Sequence, residues 1–344
     1  MPHITDVRDV AAWIREHVKL SRNASRVASK HGIRPYMAER YYRMLGSWEE
    51  VASMLEAFDA RLNPVVRCNT LKVRGCGEVE FRLTKLGYSL KRVEWCPYCF
   101  EVTSPSSTSS LGATHEFLAG MYYLHRGPAS LIPPQLLSPS PGEFVADLAA
   151  APGGKLTHLA QLMGNSGAIL GVDISRARMR ALRSNVERLG VRNAVLLRSD
   201  GRYVPHIYPS FFTKVLLDAP CTGEGLMMID RSRKTKTSLE DILRSMELQV
   251  QLLDAALNSV MKGGLVLYIT CSIAPEEDEV VVAELLSRRE DVEAIPLNPP
   301  VKARRGLTEY LGLTFPQDLR KCVRLYPHVS GTEGFFMCLL KRVS

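Results

Sequence analysis

Two cysteines occupy the positions of this chain where side chains could do the most chemistry. Cys221 ends the apolar run KVLLDAPC, and Cys271 ends the run LVLYITC. Both runs have the composition of buried strands. In an open parallel sheet, ligands bind in the crevice beyond the carboxyl ends of the strands. We therefore expect both thiols at one pocket, where one sulfur attacks a substrate covalently and the other assists.

A glycine turn upstream of the cysteines predicts a site for a nucleotide-type cofactor. The run FVADLAAAPGGK places Gly153 and Gly154 between a strand and a helix, where the missing Cβ atoms allow a ligand to approach the backbone. Asp173 and Asp200 end the next two predicted strands. These positions suit ribose hydroxyls and an adenine amine, and they favour an adenosine ligand. The alternative for each acid is a loop or cap residue.

The motifs together resemble those of a known family. From about residue 38 to the C-terminus the chain is similar to the Nol/Nop/Sun family of RNA cytosine-5 methyltransferases, in the segments DLAAAPGGKLTHLA, VDISRARMRALRSNVERLG, LLDAPCTGEGL, YITCSIAPEEDE and YPHVSGTEGFF. The resemblance implies a Rossmann-like methyltransferase domain, S-adenosylmethionine as methyl donor and RNA cytosine as substrate. The chain departs from the family pattern at Leu156, where Thr or Ser is common, and at the pair His125 and Arg126.

The resemblance also implies roles for individual residues. Cys271 corresponds to the nucleophile that adds to cytosine C6, and Cys221 to the cysteine that assists release of the methylated RNA. Asp218 and Lys155 correspond to pocket residues that meet the cytosine or the cofactor, and a protonated Asp218 would bond cytosine N3. The implied cofactor contacts are Ala150, Ala151, Pro152, Gly153, Gly154, Lys155, Asp173, Arg178, Asp200 and Asp218.

Hydrophobic periodicity divides the chain into three parts. Residues 1–62 predict amphipathic helices, and residues 63–129 predict a small α+β domain, RRM-like and suited to RNA binding. Residues 130–344 alternate between strand and helix patterns, which indicates a doubly wound α/β methyltransferase domain. The main strands are predicted at 143–148, 169–173, 194–198, 214–218 and 265–270, with a closing strand in GFFMCLLKRV.

The charge of the chain favours an anionic partner. The formal net charge is +8 and the sequence pI is about 9.1. One group of candidate RNA contacts is spaced as on a single helix face and consists of Arg15, Lys19, Arg22, Arg26 and Lys30. A second group follows the DAPC motif, is expected to matter more, and consists of Arg231, Arg233, Lys234 and Lys236. A solvated surface is the alternative for each group.

The remaining cysteines bear on the environment of the protein. The eight cysteines are scattered, which favours a reduced, cytoplasmic protein over a disulfide scaffold. Cys68, Cys322 and Cys338 lie in apolar runs and are predicted to be core residues. For Cys96 and Cys99 of the CPYC motif we expect loop cysteines or a local disulfide, with a redox pair or half of a zinc site as alternatives. We expect no metal, because CPYC has no second CxxC or histidine pair nearby. We expect no membrane partner, because the chain has neither a spanning apolar run nor a signal-peptide apolar region.

Three other functions compete with RNA cytosine methylation. The first is an inactive RNA-binding or assembly factor on the same fold, against which the two thiols and the cofactor acids argue. The second is a DNA cytosine-5 methyltransferase, in which Cys221 of the Pro-Cys motif would be the nucleophile. The third is a disulfide oxidoreductase built on CPYC. We expect a monomer that acts on tRNA rather than rRNA, because the chain is compact and lacks tails.

Overall fold

Helices form the N-terminal part of the computed structural model, which describes residues 7–106 and 110–343. Serine side chains cap two of these helices, at Ser21 and Ser47, by accepting hydrogen bonds from backbone N–H groups of the first turn. The chain breaks helical conformation between His17 and Arg22, so the predicted basic stripe does not run along one continuous helix face. The helices are α1 Val7–His17, α2 Arg22–His31, α3 Pro35–Leu45 and α4 Trp48–Asp59.

A small α+β unit follows, with an antiparallel sheet in the order β2-β3-β1-β4. Its strand β4 was not among the predicted strands. Valine, leucine and phenylalanine side chains on one face of the sheet pack against α5 to form a separate core. The elements are β1 Val65–Cys68, α5 Cys76–Lys85, β2 Ser89–Val93, β3 Cys96–Ser104, α6 His115–Leu118 and β4 Tyr122–His125.

The opposite face of this small sheet is covered by the rest of the protein. Arg67 is buried, and its guanidinium donates hydrogen bonds to the Gly154 carbonyl at 2.9 Å and to the Thr157 hydroxyl at 2.8 Å. The hydroxyl of Tyr98 lies 2.9 Å from the Nε2 atom of His158. In RRM domains the open sheet face stacks bases on aromatic side chains. Here that face is occupied, so base stacking on it is excluded in this arrangement.

The larger domain contains a mixed sheet in the order β11-β14-β15-β9-β8-β5-β6-β7, with β10 paired to β15. Strands β5 to β9 of this sheet pair in parallel, and each predicted strand overlaps an observed one. The strands of this sheet are β5 Phe144–Asp147, β6 Ala168–Val172, β7 Ala194–Leu197, β8 Phe212–Asp218, β9 Val260–Thr270, β10 Val292–Ile295, β11 Arg304–Arg305, β14 Val323–Leu325 and β15 Phe335–Arg342. A separate antiparallel pair consists of β12 Glu309–Tyr310 and β13 Leu313–Thr314.

Helices cover both faces of this sheet, as expected for a doubly wound α/β fold. The longest helix, α12, shares one apolar cluster with the N-terminal helices, so α1 to α4 are packed onto this domain. The helices are α7 Ile132–Leu137, α8 Gly154–Leu162, α9 Arg176–Arg188, α10 Val204–Ile207, α11 Arg233–Lys236, α12 Leu239–Ser259, α13 Glu279–Arg288 and α14 Pro327–Ser330.

Buried ion pairs connect helix α3 to the segments that follow the two predicted catalytic cysteines. The Arg40 guanidinium donates to Glu224 at 2.9 Å and to Glu276 at 2.9 Å, and all three side chains are at most 1% exposed. A second buried arginine, Arg324, pairs with Glu279. Removal of one partner from such a pair leaves an uncompensated buried charge, which costs about 3–5 kcal/mol. These contacts therefore hold the cysteine loops to the body of the protein.

Disulfide bonds join six of the eight cysteines, in the pairs Cys68–Cys76, Cys96–Cys99 and Cys322–Cys338. The local disulfide at CPYC is confirmed, but the expectation of a reduced chain is wrong for these six residues. For Cys322 and Cys338 the reason is the strand topology. Antiparallel pairing of Val323 with Met337 brings these two cysteines to a Cα separation of 4.4 Å. Among residues 7–106 and 110–343, no helix has the length and apolar character needed to span a membrane.

Candidate active site

The two remaining cysteines meet at the carboxyl edge of the parallel sheet. Strands β8 and β9 are parallel neighbours, with Asp218 opposite Ile269, so the residues that follow them lie side by side. Cys221 and Cys271 are both free thiols, and their Sγ atoms lie 3.2 Å apart. The prediction that both thiols share one site is therefore confirmed.

The surroundings of the two thiols differ, and the difference favours one of them as the attacking sulfur. The hydrogen bond to Cys271 and burial together raise the pKa of Cys221 well above its ordinary value. The raised pKa favours a protonated Cys221, and either thiol can be the donor in its contact with the sulfur of Cys271. The Lys155 ammonium lines the same cleft as Cys271. Two groups that stabilise negative charge thus lie beside Cys271, as a thiolate nucleophile requires.

A partly buried ion pair lines the site. Lys155 lies in the first turn of α8, Asp218 ends β8, and the Nζ atom of Lys155 donates to Oδ2 of Asp218 at 2.6 Å. Burial lowers the pKa of Lys155, but attraction to the Asp218 carboxylate outweighs burial, and the net pKa is raised. Asp218, which corresponds by resemblance to a pocket residue that meets the cytosine or the cofactor, is thus engaged by an ammonium group of the same chain.

A third carboxyl beside this pair, Asp147, had no role in the sequence analysis. Asp147 ends strand β5, is 1% exposed, and lines a cavity of about 250 Å³ together with Lys155 and Asp218. Burial and the negative charge of Asp218 raise the pKa of Asp147 to about 7. A carboxyl with this pKa holds a proton for much of the time near neutral pH. The available signal was its position at the end of the strand before the glycine turn.

The predicted cofactor residues lie around the ends of β5 and β6. The carboxylate of Asp173 is 3% exposed, and its Oδ1 atom accepts a hydrogen bond from the Ser175 N–H at 2.9 Å. Its Oδ2 atom is buried and has no hydrogen-bond partner among the described residues. An Arg178 nitrogen lies 3.3 Å from this oxygen, a contact whose angles suit charge attraction rather than a hydrogen bond. A buried carboxylate oxygen without a partner is suited to accept a ligand hydroxyl.

The turn from Ala150 to Gly154 passes close to its neighbours. A Cβ atom at Gly153, where φ is +105°, would lie 2.9 Å from a Leu182 methyl group, so glycine is required there. The Arg178 guanidinium donates a hydrogen bond to the Ala151 carbonyl and thereby holds the turn. Asp200 behaves as a cap residue, because Arg202 pairs with its carboxylate at 2.7 Å and donates its backbone N–H to it.

A cleft of about 490 Å³ connects these parts and is lined by Cys271, Lys155, Asp218, Ala151, Pro152 and Arg178, among others. The sequence analysis assigned no role to two further lining residues, Arg126 and Glu333. Glu333 accepts a hydrogen bond from the Ala129 N–H at 3.0 Å, and burial raises its pKa. The available signals were the departure from the family pattern at Arg126 and the GTEG run around Glu333.

Comparison with known proteins decides which family this site belongs to. Residues 134–341, more than half of the chain, match the family model for 16S rRNA methyltransferase RsmB/F. The chain belongs to this Nol/Nop/Sun family of RNA cytosine-5 methyltransferases. The resemblance inferred from the motifs is thereby confirmed.

Several family members show how far the similarity extends. The 25S rRNA (cytosine-C(5))-methyltransferase nop2 of Schizosaccharomyces pombe is 36% identical over 326 residues, covering 92% of this chain and 52% of nop2. Ribosomal RNA small subunit methyltransferase F of Vibrio atlanticus is 30% identical over 298 residues, covering 86% of this chain and 61% of that protein. This chain spans about half the length of the first of these relatives.

A solved structure shows the same fold over nearly the whole chain. The crystal structure of a methyltransferase homolog protein from Pyrococcus horikoshii superposes with a TM-score of 0.81 at 36% identity, covering 94% of this chain and 100% of that chain. The α/β fold of an S-adenosylmethionine-dependent methyltransferase is therefore confirmed for this Nol/Nop/Sun protein.

The methyl donor of the Nol/Nop/Sun family is S-adenosylmethionine, and the residues of this chain fit it. The buried Oδ2 atom of Asp173 has no hydrogen-bond partner among the described residues and is suited to a ribose hydroxyl, and Ala151 and Pro152 of the turn line the adjoining cleft. Asp200 fits less directly, since Arg202 already occupies its carboxylate.

We expect Asp173→Ala to weaken binding of S-adenosylmethionine by about 1–3 kcal/mol, the range for a hydrogen bond to a buried charged group. Isothermal titration calorimetry of both proteins measures the change. Asp200→Ala is the matched control, and we expect a smaller loss because that carboxylate is engaged by Arg202. Equal affinity in Asp173→Ala and the unmodified protein would remove Asp173 from the site.

The predicted RNA-binding cations are in part neutralised by acids of the same chain. Within the described residues, four of them form ion pairs, namely Arg15 with Glu240, Lys30 with Glu56, Arg233 with Asp230 and Lys234 with Asp59. Arg233 also lines the active-site cleft and donates to the Thr222 carbonyl. The side chains that are exposed and have no ion pair within the described residues are Lys19, Arg22, Arg26, Arg231 and Lys236.

Proposed function

We propose that this protein methylates C5 of cytosine in RNA through a covalent adduct on Cys271. The observation that carries the proposal is the 3.2 Å contact between two free cysteines at the strand edge of a Nol/Nop/Sun fold, beside the Lys155–Asp218 pair. Cytosine C5 is a weak nucleophile while the ring is aromatic. A bond from the Cys271 sulfur to C6 breaks the C5=C6 double bond and makes C5 electron-rich.

Proton donors of the cleft would stabilise the electrons that this addition displaces toward N3. The Lys155 ammonium lines the same cleft as Cys271, and Asp147 supplies a carboxyl that is neutral for part of the time at pH 7. Preorganised donors of this kind are effective because they need no rearrangement during the reaction. When bound, S-adenosylmethionine supplies an electrophilic methyl group to C5.

Release of the product requires that the Cys271–C6 bond breaks again. The C5 proton leaves to a base, its electron pair restores the C5=C6 double bond, and the Cys271 sulfur departs. Cys221 is the ionisable group beside the departing sulfur, and its raised pKa means that it carries a proton that this sulfur can receive. We propose this as the role of Cys221.

Bisulfite sequencing of total RNA from cells with and without the protein tests the activity and locates the cytosine. Cells that carry Cys271→Ala serve as the control, since that protein keeps the fold but lacks the sulfur. Methylation that depends on the protein but persists in the Cys271→Ala cells would contradict the covalent mechanism. A protein that neither methylates RNA nor binds S-adenosylmethionine would instead be an inactive assembly factor.

The RNA class is the finer part of the proposal. The named relatives act on 25S rRNA and on small-subunit ribosomal RNA, which makes rRNA the first substrate to test. The tRNA preference, the monomeric state and the cytoplasmic location remain predictions from the sequence. We also propose that residues 63–129 form an RRM-like RNA-binding unit, which would contact RNA through surfaces other than the sheet face that holds Arg67.

Glu277 is a positioning residue for the cysteine pair. Its two carboxylate oxygens accept hydrogen bonds from the backbone N–H of Thr222 at 2.7 Å and from the Thr222 hydroxyl at 2.6 Å. Glu277 thereby ties the loop that contains Cys221 to the segment that follows Cys271. The carboxylate is completely buried, and burial raises its pKa to about 7.

We expect Glu277→Gln to slow release of RNA more than formation of the adduct, because an amide nitrogen cannot accept the second of these hydrogen bonds. The loss corresponds to about a tenfold to hundredfold slower turnover, the usual effect of a charge-assisted hydrogen bond. Denaturing gels should show more RNA attached to protein per methyl group transferred.

Thr222→Ser is the matched control for this experiment. It retains both donors to Glu277, and we expect it to behave like the unmodified protein. Equal slowing of adduct formation and of release in Glu277→Gln would show a general structural role instead.

A further inference from the structure

One short segment of the chain has a high net positive charge. Residues 174–199 contain seven arginines and a single acid, Glu187, so they carry a formal charge of +6 in a chain whose total is +8. None of this charge was assigned to RNA by the sequence analysis. The segment comprises helix α9 and the edge strand β7 of the large sheet.

Four of these arginines surround one groove between α9 and β7. Arg176, Arg180 and Arg183 are spaced four and three residues apart, so they lie along one face of the helix. Arg198 follows β7 and completes the rim. These four side chains, with Met179, Ser184, Glu187 and Leu196, line a groove of about 570 Å³.

These four arginines differ in their lack of partners from most of the candidate RNA-binding cations in the two groups predicted from the sequence. All four are exposed, and none forms an ion pair or a side-chain hydrogen bond within residues 7–106 and 110–343. Like charges on one helix face repel each other, which destabilises an isolated helix by a few tenths of a kcal/mol per pair. The arrangement therefore does not stabilise α9. A bound anion would neutralise the repulsion between these arginines.

The positions of the charges indicate what kind of anion fits. The three helical arginines extend over about 10 Å, at a rise of 1.5 Å per residue. A row of this length matches a polymer with repeated charges better than it matches a single small anion. Guanidinium groups also bind phosphate oxygens in pairs of parallel hydrogen bonds. The partly buried Met179 and Leu196 provide apolar surface between the charges.

We propose that this groove binds the phosphate backbone of the RNA substrate outside the target nucleotide. The inference rests on the proposed function, because it takes RNA as the substrate. Arg178 lies on the other side of α9 and lines the active-site cleft, so the groove and the cleft are separated by roughly the 10–12 Å width of one helix. When the target cytosine is unstacked into the cleft, the nucleotides that flank it must pass the rim of the groove. The groove would bind the phosphates of these flanking nucleotides.

The test is the salt dependence of RNA binding by the full-length triple variant Arg176→Gln/Arg180→Gln/Arg183→Gln. Each lost phosphate contact reduces the slope of log affinity against log salt by about 0.7, so we expect a reduction of about 2. We also expect a higher KM for RNA and little change in the rate at saturating RNA, because these side chains lie outside the cleft. Binding of S-adenosylmethionine should be unchanged.

The single variant Arg192→Gln is the matched control. Arg192 is exposed and belongs to the same segment, but it does not line the groove. The comparison is with the single variants Arg176→Gln, Arg180→Gln and Arg183→Gln. We expect Arg192→Gln to change the slope of log affinity against log salt by less than any of these three. Equal changes would indicate attraction by overall charge and would overturn a specific groove.

The outcomes also separate this inference from the proposed function. Methylation by the unmodified protein with unchanged RNA affinity in the triple variant would overturn the groove alone, and an acidic protein partner would then explain the arginines. RNA binding that weakens in the triple variant, in a protein that does not methylate RNA, would support the groove and overturn the proposed function.

Discussion

Replacing Cys271 by alanine is expected to abolish both RNA methylation and the covalent protein–RNA complex. The side chain supplies the only atom that forms the bond to C6 in the proposed mechanism, and without that bond C5 stays aromatic and unreactive. Loss of a nucleophile of this kind lowers turnover by about a thousandfold or more. Methyl transfer from radiolabelled S-adenosylmethionine measures the activity, and a denaturing gel measures the complex.

Two controls make this result specific. Cys271→Ser keeps the size of the side chain but offers a much weaker nucleophile, so we expect it to be as inactive as alanine. Calorimetry should show unchanged binding of S-adenosylmethionine in both variants, since Cys271 is not among the residues that hold the turn or Asp173. Retention of full activity in Cys271→Ala would exclude the covalent mechanism.

Replacing Cys221 by alanine is expected to give the opposite failure, a protein that attacks RNA and then stays attached to it. Cys271 and the Lys155–Asp218 pair remain in place, so the adduct forms and the methyl group is transferred. The departing Cys271 sulfur then lacks the proton that Cys221 holds 3.2 Å away. We expect at most about one methyl group per protein molecule and a strong band of protein joined to RNA.

The pair of variants also decides between RNA-type and DNA-type chemistry. A trapped band in Cys271→Ala, and none in Cys221→Ala, would exchange the two roles and favour the mechanism in which the Pro-Cys cysteine attacks. Cys221→Ala/Cys271→Ala should give no band in either case, which shows that the band depends on these sulfurs. Digestion of the trapped complex followed by mass spectrometry identifies the cysteine that carries the nucleotide.

The position of the small sheet changes how RNA recognition by this protein should be understood. The unit combines a helix with antiparallel strands, the α+β composition from which an RNA-binding domain was predicted, yet one face of its sheet is attached to α8 through Arg67 and Tyr98. Cations predicted at the N-terminus are partly paired with acids. A further set of exposed arginines without ion pairs among the described residues lies on α9 and after β7, at the opposite edge of the parallel strands from β9.

The strand pattern and the family could be predicted from the amino-acid sequence alone, whereas the chemical roles assigned to Cys221 and Cys271 remain predictions. Cys221 and Cys271 each follow a run of apolar residues, and such runs form strands through local hydrogen bonding and burial, which depend little on the rest of the chain. The glycine turn and Asp173 could also be predicted from the sequence, because their conformational and chemical requirements are local. These positions were therefore predicted correctly.

Which side chains are paired and which are free depends on how the whole chain packs. The engagement of Asp218 by Lys155, of Asp200 by Arg202 and of Lys234 by Asp59 depends on distances that no spacing in the sequence specifies. The raised pKa of Asp147 has the same origin, because it arises from burial and from the nearby Asp218 charge. Burial and charge pairing are properties of the packed chain. The sequence patterns therefore located these residues but could not predict their partners or their pKa values.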